Sequence, residues 1–199
     1  MSASQPAFNR ADPDIRRQSL IEATARVLAV KGAAGVSVRA ICAEAGVSPG
    51  LLRHYFAGVS EAIAETYRWT GRRISAALAE AVAAAKPELR ARLLAYIVAS
   101  FRPPIATPEL LDSYVAFWSL TRSDRLIAQV RGEVYGEFRT GLEALLRDYR
   151  PHLPNPRFTA VALTALIDGL WLELSLGDAP FTPEEAEALA EKWLNALLS

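Results

Sequence analysis

The sequence predicts an all-α chain of nine helices. Three observations predict it. Apolar residues recur three and four positions apart, the period of a helix face. No stretch shows the apolar–polar alternation of a half-buried strand. Proline falls at or between the ends of helix-length segments, where it starts or stops a helix without costing an internal hydrogen bond. There is no internal repeat and no low-complexity tract.

Residues 1–11 are expected to be a flexible arm. MSASQPAFNRADPDIRRQ is polar with no apolar run, so no signal peptide is expected. Asp12-Pro13 opens the first helix, with Leu20, Ala23, Val27 and Val30 as its apolar stripe and Gly32 at its end. Ser37 caps a second helix to about Ala45, its hydroxyl accepting from an otherwise unpaired backbone N–H. Gly46 follows, where a left-handed backbone is needed and no Cβ clashes. Ser48 caps the third helix and Pro49 takes its first position. Ser60 caps a long fourth helix to about Ala85. Lys86-Pro87 starts a fifth, with Leu93, Leu94, Ile97 and Phe101 inward, and Pro103-Pro104 stops it. Thr107-Pro108 starts the sixth, to about Thr121, and Ser123 caps the seventh, to about Tyr149. Pro151 to Pro156 is a stiff connector to an eighth helix ending near Leu176. Thr182-Pro183-Glu184-Glu185 opens the ninth with a capping box.

The pair at residues 37–56, SVRAICAEAGVSPGLLRHYF, has the layout of a helix-turn-helix. Val38, Ile41, Ala45, Val47, Leu52 and Tyr55 can close a small core, and Cys42 sits where the two helices approach most closely. An ordinary helical hairpin would share this spacing. The small polar start of the third helix (Ser48, Pro49, Gly50, then Leu51) allows close approach to base edges. Ser37, Val38, Arg39, Arg53, His54 and Tyr55 surround it with phosphate-directed groups.

This stretch resembles the DNA-binding domain of the tetracycline-repressor (TetR) family. Arg39, Ile41, Ala45, Gly46, Val47, Ser48, Gly50, Leu52, Tyr55 and Phe56 carry the likeness, with IRRQSLIEATARVLAVKG at Ile15 to Gly32. Two positions depart from it. Many relatives have Tyr where this chain has Arg53, and many have a phosphate-contacting Lys where it has Val59; Arg53 or Arg68 is the candidate replacement. The resemblance implies a helix-turn-helix domain at 12–59 and a ligand-binding and dimerisation domain at 60–199. AFWSL (Ala116 to Leu120), ALIDGLWLELSL (Ala165 to Leu176) and IRRQ resemble the choline-responsive BetI-like subgroup of that family. A TetR-type regulator sensing a hydrophobic drug-like or acyl-CoA ligand is the alternative, and it stays open.

Composition agrees. Net charge is zero, but residues 1–75 carry +4 and residues 76–199 carry −4, a basic head on an acidic body. Fifty-one per cent hydrophobic residues supply a sizeable core. The single cysteine excludes an intramolecular disulfide and suits a cytoplasmic protein. Phe158 to Leu176 is the most apolar run; Asp168 and Glu173 interrupt it, so it reads as a buried helix rather than a membrane span.

A quaternary ammonium donates no hydrogen bond and is held by aromatic faces. Tyr114 and Trp118 share a helix face, as do Asp168 and Trp171, and Phe101, Phe117, Tyr135 and Phe138 can complete a wall. The same rings also suit a plain bundle core, and Asp168 also suits a structural role. Two DNA half-sites about 34–36 Å apart require two reading heads on one rigid body. Leu166, Gly169, Leu170 and Leu174 of the eighth helix and Leu189, Trp193 and Leu197 of the ninth are the candidate homodimer seam, or else face the chain's own core. His54 and His152 are far apart, and no HExxH, GxSxG or Gly-rich phosphate loop is present, so no catalytic, metal or cofactor site is expected. The expectation is a repressor that binds a palindromic double-stranded DNA operator as a dimer and is released by a small molecule, choline or another quaternary amine. A protein–protein adaptor that has lost DNA binding is the remaining alternative.

Overall fold

A computed structural model describes residues 13–199. The 1–11 arm and Asp12 lie outside the described residues. Among those described there are nine α-helices and no strand: α1 (Pro13–Gly35), α2 (Val38–Ala45), α3 (Pro49–Tyr55), α4 (Val59–Ala84), α5 (Leu89–Val98), α6 (Pro108–Leu120), α7 (Arg125–Tyr149), α8 (Pro156–Leu176) and α9 (Pro183–Leu198). A single 3₁₀ turn, Ala99–Phe101, extends α5 and carries Phe101 inward.

Two apolar cores organise the chain. The smaller gathers Leu20, Ile21, Ala23, Ile41, Cys42, Leu52, Phe56 and Ala62, and so binds α1, α2, α3 and the start of α4 into a head. The larger fills the body between α4 and α9. Leu28 of α1 belongs to the body's core, so α1 enters both. α1 packs along α6 and α4; α4 packs on α7, and α7 on α8. The helix α8 is long and apolar enough to cross a membrane, but here it packs against α6, α7 and α9.

Polar links tie head to body. Arg17 of α1 pairs with Glu65 of α4. Glu65 also meets Arg68 at 2.8 Å, and Arg68 reaches Glu133 of α7 at 2.9 Å. Burial opposes the Glu65 charge, but hydrogen bonds from Arg17 and Arg68 outweigh it and hold the carboxyl below its ordinary range.

Several local expectations are corrected. Gly32 breaks α1 with φ 61° as expected, but a further turn follows it to Gly35. Val30 is 82% exposed and leaves the apolar stripe; it lines an open cleft between α1, α4 and α6. The start of α4 is Val59, so Ser60 lies inside the helix and donates to Asp124 instead of capping. Asp124, not Ser123, caps α7, accepting from Leu126 N at 2.9 Å and Ile127 N at 3.2 Å. On α5, which begins at Leu89, Leu94 is only half-buried, and Tyr96 takes an inward place. The capping box of α9 forms as read, Thr182 and Glu185 satisfying each other's backbone N–H.

Candidate functional site

The head presents its reading pair through local chemistry. Ser37 Oγ accepts from Ala40 N at 3.1 Å and Ser48 Oγ from Leu51 N at 3.4 Å. Gly46 turns the chain at φ 65°, ψ 35°, and its neighbour Val47 donates to the Cys42 carbonyl at 3.0 Å. That places Ile41, Cys42 and Leu52 inward. Ser37, Arg39, Ser48, Pro49, Gly50, Arg53 and His54 are left exposed, with Val38, Leu51 and Tyr55 half-buried beside them. Burial pushes the Cys42 thiol up against the pull of Arg53, which keeps it a protonated packing group.

Gly50 is informative because the fold does not need it. A Cβ there would meet only Ser48 Oγ, at 3.8 Å. Glycine inside a helix costs roughly 0.8–1.0 kcal/mol relative to alanine. Of the two candidate phosphate cations, Arg68 is committed to Glu65 and Glu133, so only Arg53 is presented.

In the body, Tyr114, Tyr135, Phe138, Asp168 and Trp171 line one narrow cavity of about 40 Å³. At about 10–15 Å³ per water, that is room for about three waters. Gly71, Ile74 and Ser75 of α4, Val134 of α7 and Thr164 and Ile167 of α8 complete its walls, residues the sequence did not single out. Phe101, Phe117 and Trp118 do not line it. Phe101 is buried in the core. Phe117 stacks on Tyr67 with ring centroids 4.2 Å apart. Trp118 Nε1 donates to Tyr135 Oη at 2.8 Å, and Tyr135 Oη donates to Asp168 Oδ1 at 3.0 Å. Tyr135 is therefore a hub more than a free aromatic face, and the guanidiniums of Arg131 and Arg139 lie 4.2 and 5.4 Å from its centroid. The faces left to a ligand are Tyr114 and Trp171, whose rings meet edge-on at 5.1 Å, and Phe138.

Burial pushes the Asp168 carboxyl up to about 6, against the hydrogen bond from Tyr135 and the attraction of Arg131 and Arg139. It is an ionisable group held at the edge of an aromatic box. Among the described residues, no three His, Cys, Asp or Glu side chains gather to hold a metal.

The candidate dimer residues separate. Leu189 and Trp193 of α9 are exposed, the latter at 52%, and Gly169 of α8 is exposed. Leu170 is buried in the chain's own core, and Leu166, Leu174 and Leu197 pack partly against it. The outward apolar face of α8 is instead Phe158, Val161, Leu172 and Leu176. An α8 that is apolar on every side gives no stripe by which to orient it.

Comparison with known proteins agrees with this architecture. Residues 89–199 match the C-terminal region of BetI-type transcriptional repressors. Residues 20–61 match the bacterial regulatory proteins of the tetR family. The HTH-type transcriptional regulator BetI of Burkholderia thailandensis is 31% identical over 188 residues, covering 94% of this chain and 95% of that protein. A transcriptional regulator from Pseudomonas aeruginosa of known structure is 39% identical, with a TM-score of 0.85 over 96% of this chain and 94% of that one. A regulator from Saccharomonospora viridis, solved in complex with choline, shares the fold at 18% identity, with a TM-score of 0.77 over 92% of this chain and 96% of that one. The chain belongs to the TetR family of DNA-binding transcriptional regulators, as a repressor with a BetI-type C-terminal half, and is not an enzyme.

Proposed function

We propose that this chain represses transcription as a homodimer on a palindromic operator and is released by a small organic cation, choline or another quaternary amine. One observation carries the effector reading: Tyr114, Phe138 and Trp171 line one cavity with a half-buried carboxylate, Asp168, and its walls include α4 and α6. Both helices pack on α1 of the head. The choline held by the S. viridis regulator is consistent with such a box. The reading surface is Ser37, Val38, Arg39, Ser48, Pro49, Gly50, Leu51, Arg53, His54 and Tyr55, within a head at 12–59. The remainder, 60–199, binds the effector and the second copy, and the protein acts in the cytoplasm with its DNA.

The dimer rests on the surface. Among the described residues, six of the nine exposed large hydrophobic side chains lie on α8 and α9. Two copies joined there bring two heads to one operator.

The cavity is too small for a trimethylammonium group as it stands. Occupation therefore parts α4 from its neighbours, and that is the differential binding through which a ligand shifts a two-state equilibrium.

The test is thermal unfolding with choline, glycine betaine and a panel of apolar drugs, followed by release from an operator selected out of random duplex DNA. A ligand specific to the folded state stabilises it by about 2.7 kcal/mol at a hundredfold excess over Kd. Stabilisation and release by a quaternary amine support the reading. Stabilisation by apolar compounds alone would reassign the rings to a greasy pocket and refute it.

A further inference from the structure

A cleft of about 800 Å³ opens where the head meets the body, between α1, α4 and α6. That volume lies within the roughly 300–1,000 Å³ of small-molecule sites, which favour the seams between domains. The cleft shares no lining residue with the aromatic cavity, and none of its lining comes from α8 or α9.

Its lining combines apolar walls with an unmet polar group. Ala25, Ala29 and Val30 of α1, Trp69 of α4 and Leu110 of α6 supply the walls. Val30 is 82% exposed, so its own chain leaves it uncovered. Thr70 is only 4% exposed and also lines the cleft, yet its hydroxyl makes no hydrogen bond among the described residues. One turn earlier, Thr66 donates its own hydroxyl to the Ala62 carbonyl at 2.8 Å. A buried hydroxyl without a partner calls for one, and that of Thr70 can donate or accept.

The rim sets the sign of the charge. Glu22, Glu44 and Glu109 stand against Arg26 and Arg73. Arg26 is taken up by Glu44 at 2.6 Å, and the Arg73 guanidinium lies 4.8 Å from the centroid of the Trp69 ring. Glu22 of α1 and Glu109 of α6 make no ion pair among the described residues. One negative charge is left over.

We propose that this cleft is a second ligand site, for an aromatic amine in its protonated form, and that its occupant opposes the effector. The ring lies against Val30, Trp69 and Leu110. The Thr70 hydroxyl takes a polar group of the ligand, and the ammonium turns to the acidic rim. The cleft is already open, so this ligand fits without parting any helices. The aromatic cavity must part before it holds an ammonium. Ser113 lines the cleft and its neighbour Tyr114 lines the cavity, so α6 carries a shift at one to the other. The two ligands favour different arrangements, and each weakens the other by the same factor. That opposition rests on the effector reading above; the site itself does not.

The test is calorimetry on the full chain with three indole probes that differ in charge: tryptamine, tryptophol and indoleacetate. Tryptamine is expected to bind about 2- to 5-fold more tightly than tryptophol, the scale of a partly exposed charge pair, and indoleacetate most weakly. Val30→Arg puts bulk and positive charge into the open cleft. It should weaken tryptamine at least about tenfold and leave choline within about twofold. Thr70→Val should weaken tryptamine and tryptophol alike by about 2- to 12-fold, the scale of one hydrogen bond. Circular dichroism confirms that both variants fold. Saturating tryptamine should raise the choline Kd by about fivefold or more. Binding of none of the three probes, indoleacetate binding more tightly than tryptamine, or tryptamine affinity unchanged in Val30→Arg overturns the site. Tryptamine and choline binding independently overturns the opposition. Choline failing to bind overturns the effector reading, and the opposition with it, while the site stands.

Discussion

Gly71 is where the cavity, the linking helix and the body meet, and alanine there should imitate the effector. A Cβ built on Gly71 lies 2.8 and 2.9 Å from the two γ-carbons of Val134. Carbon atoms rest at about 3.5–4.0 Å, so α4 and α7 must part by roughly 0.7–1 Å. Overpacking of this kind costs about 1–3 kcal/mol. Gly71 and Val134 are both cavity walls, so the strain falls on the closed arrangement and is relieved when the cavity opens. If the closed arrangement holds the operator, Gly71→Ala should weaken operator binding by about 5- to 150-fold without any ligand. The assay is fluorescence anisotropy on the selected operator duplex at fixed salt. Adding Val134→Ala removes both clashing carbons and should return affinity to within about threefold of wild type, as expected for two residues coupled through one contact. Unchanged operator affinity in a folded Gly71→Ala protein would refute the link, as would a loss that persists in the double variant.

Three further outcomes follow from the same structure. Asp124→Ala removes the α7 cap and the Ser60 contact at once, and should cost about 0.5–2 kcal/mol in urea unfolding at pH 7. The Ser60 hydrogen bond holds the Asp124 carboxyl below its ordinary range, so this contribution should be complete above about pH 4 and be lost as pH falls through the lowered folded value. Arg53→Gln should weaken binding uniformly across operator sequences and lower the slope of log K against log salt by about one; an unchanged slope would remove Arg53 from the phosphate contacts. For Asp168 the sign is opposite. The folded carboxyl, raised to about 6 by burial, keeps a proton that the unfolded chain releases near its ordinary value of about 3.9. The guanidiniums of Arg131 and Arg139 and the Tyr67, Tyr114 and Tyr135 hydroxyls act on it, and burial pushes those three hydroxyls above their ordinary range, so they stay protonated throughout. Stability should therefore fall as pH rises from about 4 to about 6, and Asp168→Asn should flatten that part of the wild-type curve.

What was legible in the sequence is what is decided locally. Ser37, Gly46, Ser48-Pro49 and Thr182-Glu185 act on backbone within a few residues, so spacing alone placed them. Ser123 and Asp124 are both good caps one position apart, and only the arrival of Ser60 from α4 chooses between them. The site in the body depends on which helices meet. Phe117 and Tyr114 are three residues apart on α6, yet one stacks on Tyr67 in the core and the other faces the cavity. Tyr67 and Gly71 carry no local signal, because α4 becomes a cavity wall only once α7 lies against it. Leu166, Leu170 and Leu174 form a proper helical stripe, but a helix with apolar residues all round has several.

On the proposed mechanism, the joint between head and body is what lets so small a cavity govern DNA binding. Ser113 lies on α6 one residue before Tyr114, and its hydroxyl is 3.5 Å from the Ala25 carbonyl of α1. A shift of Tyr114 is thus delivered to the head one residue away. The head is not tethered loosely: Leu28 is sunk in the body's core, and the chain from Arg17 through Glu65 and Arg68 to Glu133 crosses α1, α4 and α7. These ion pairs are partly exposed, and such pairs contribute about 0.2–1 kcal/mol each. Allosteric couplings are typically about 1–3 kcal/mol, the size of a few such contacts. Resetting the head therefore asks the molecule to exchange cheap surface contacts while the two apolar cores stay packed. On the proposed mechanism, an effector need only tip the α4–α7 wall for the heads of a dimer to lose register on the operator.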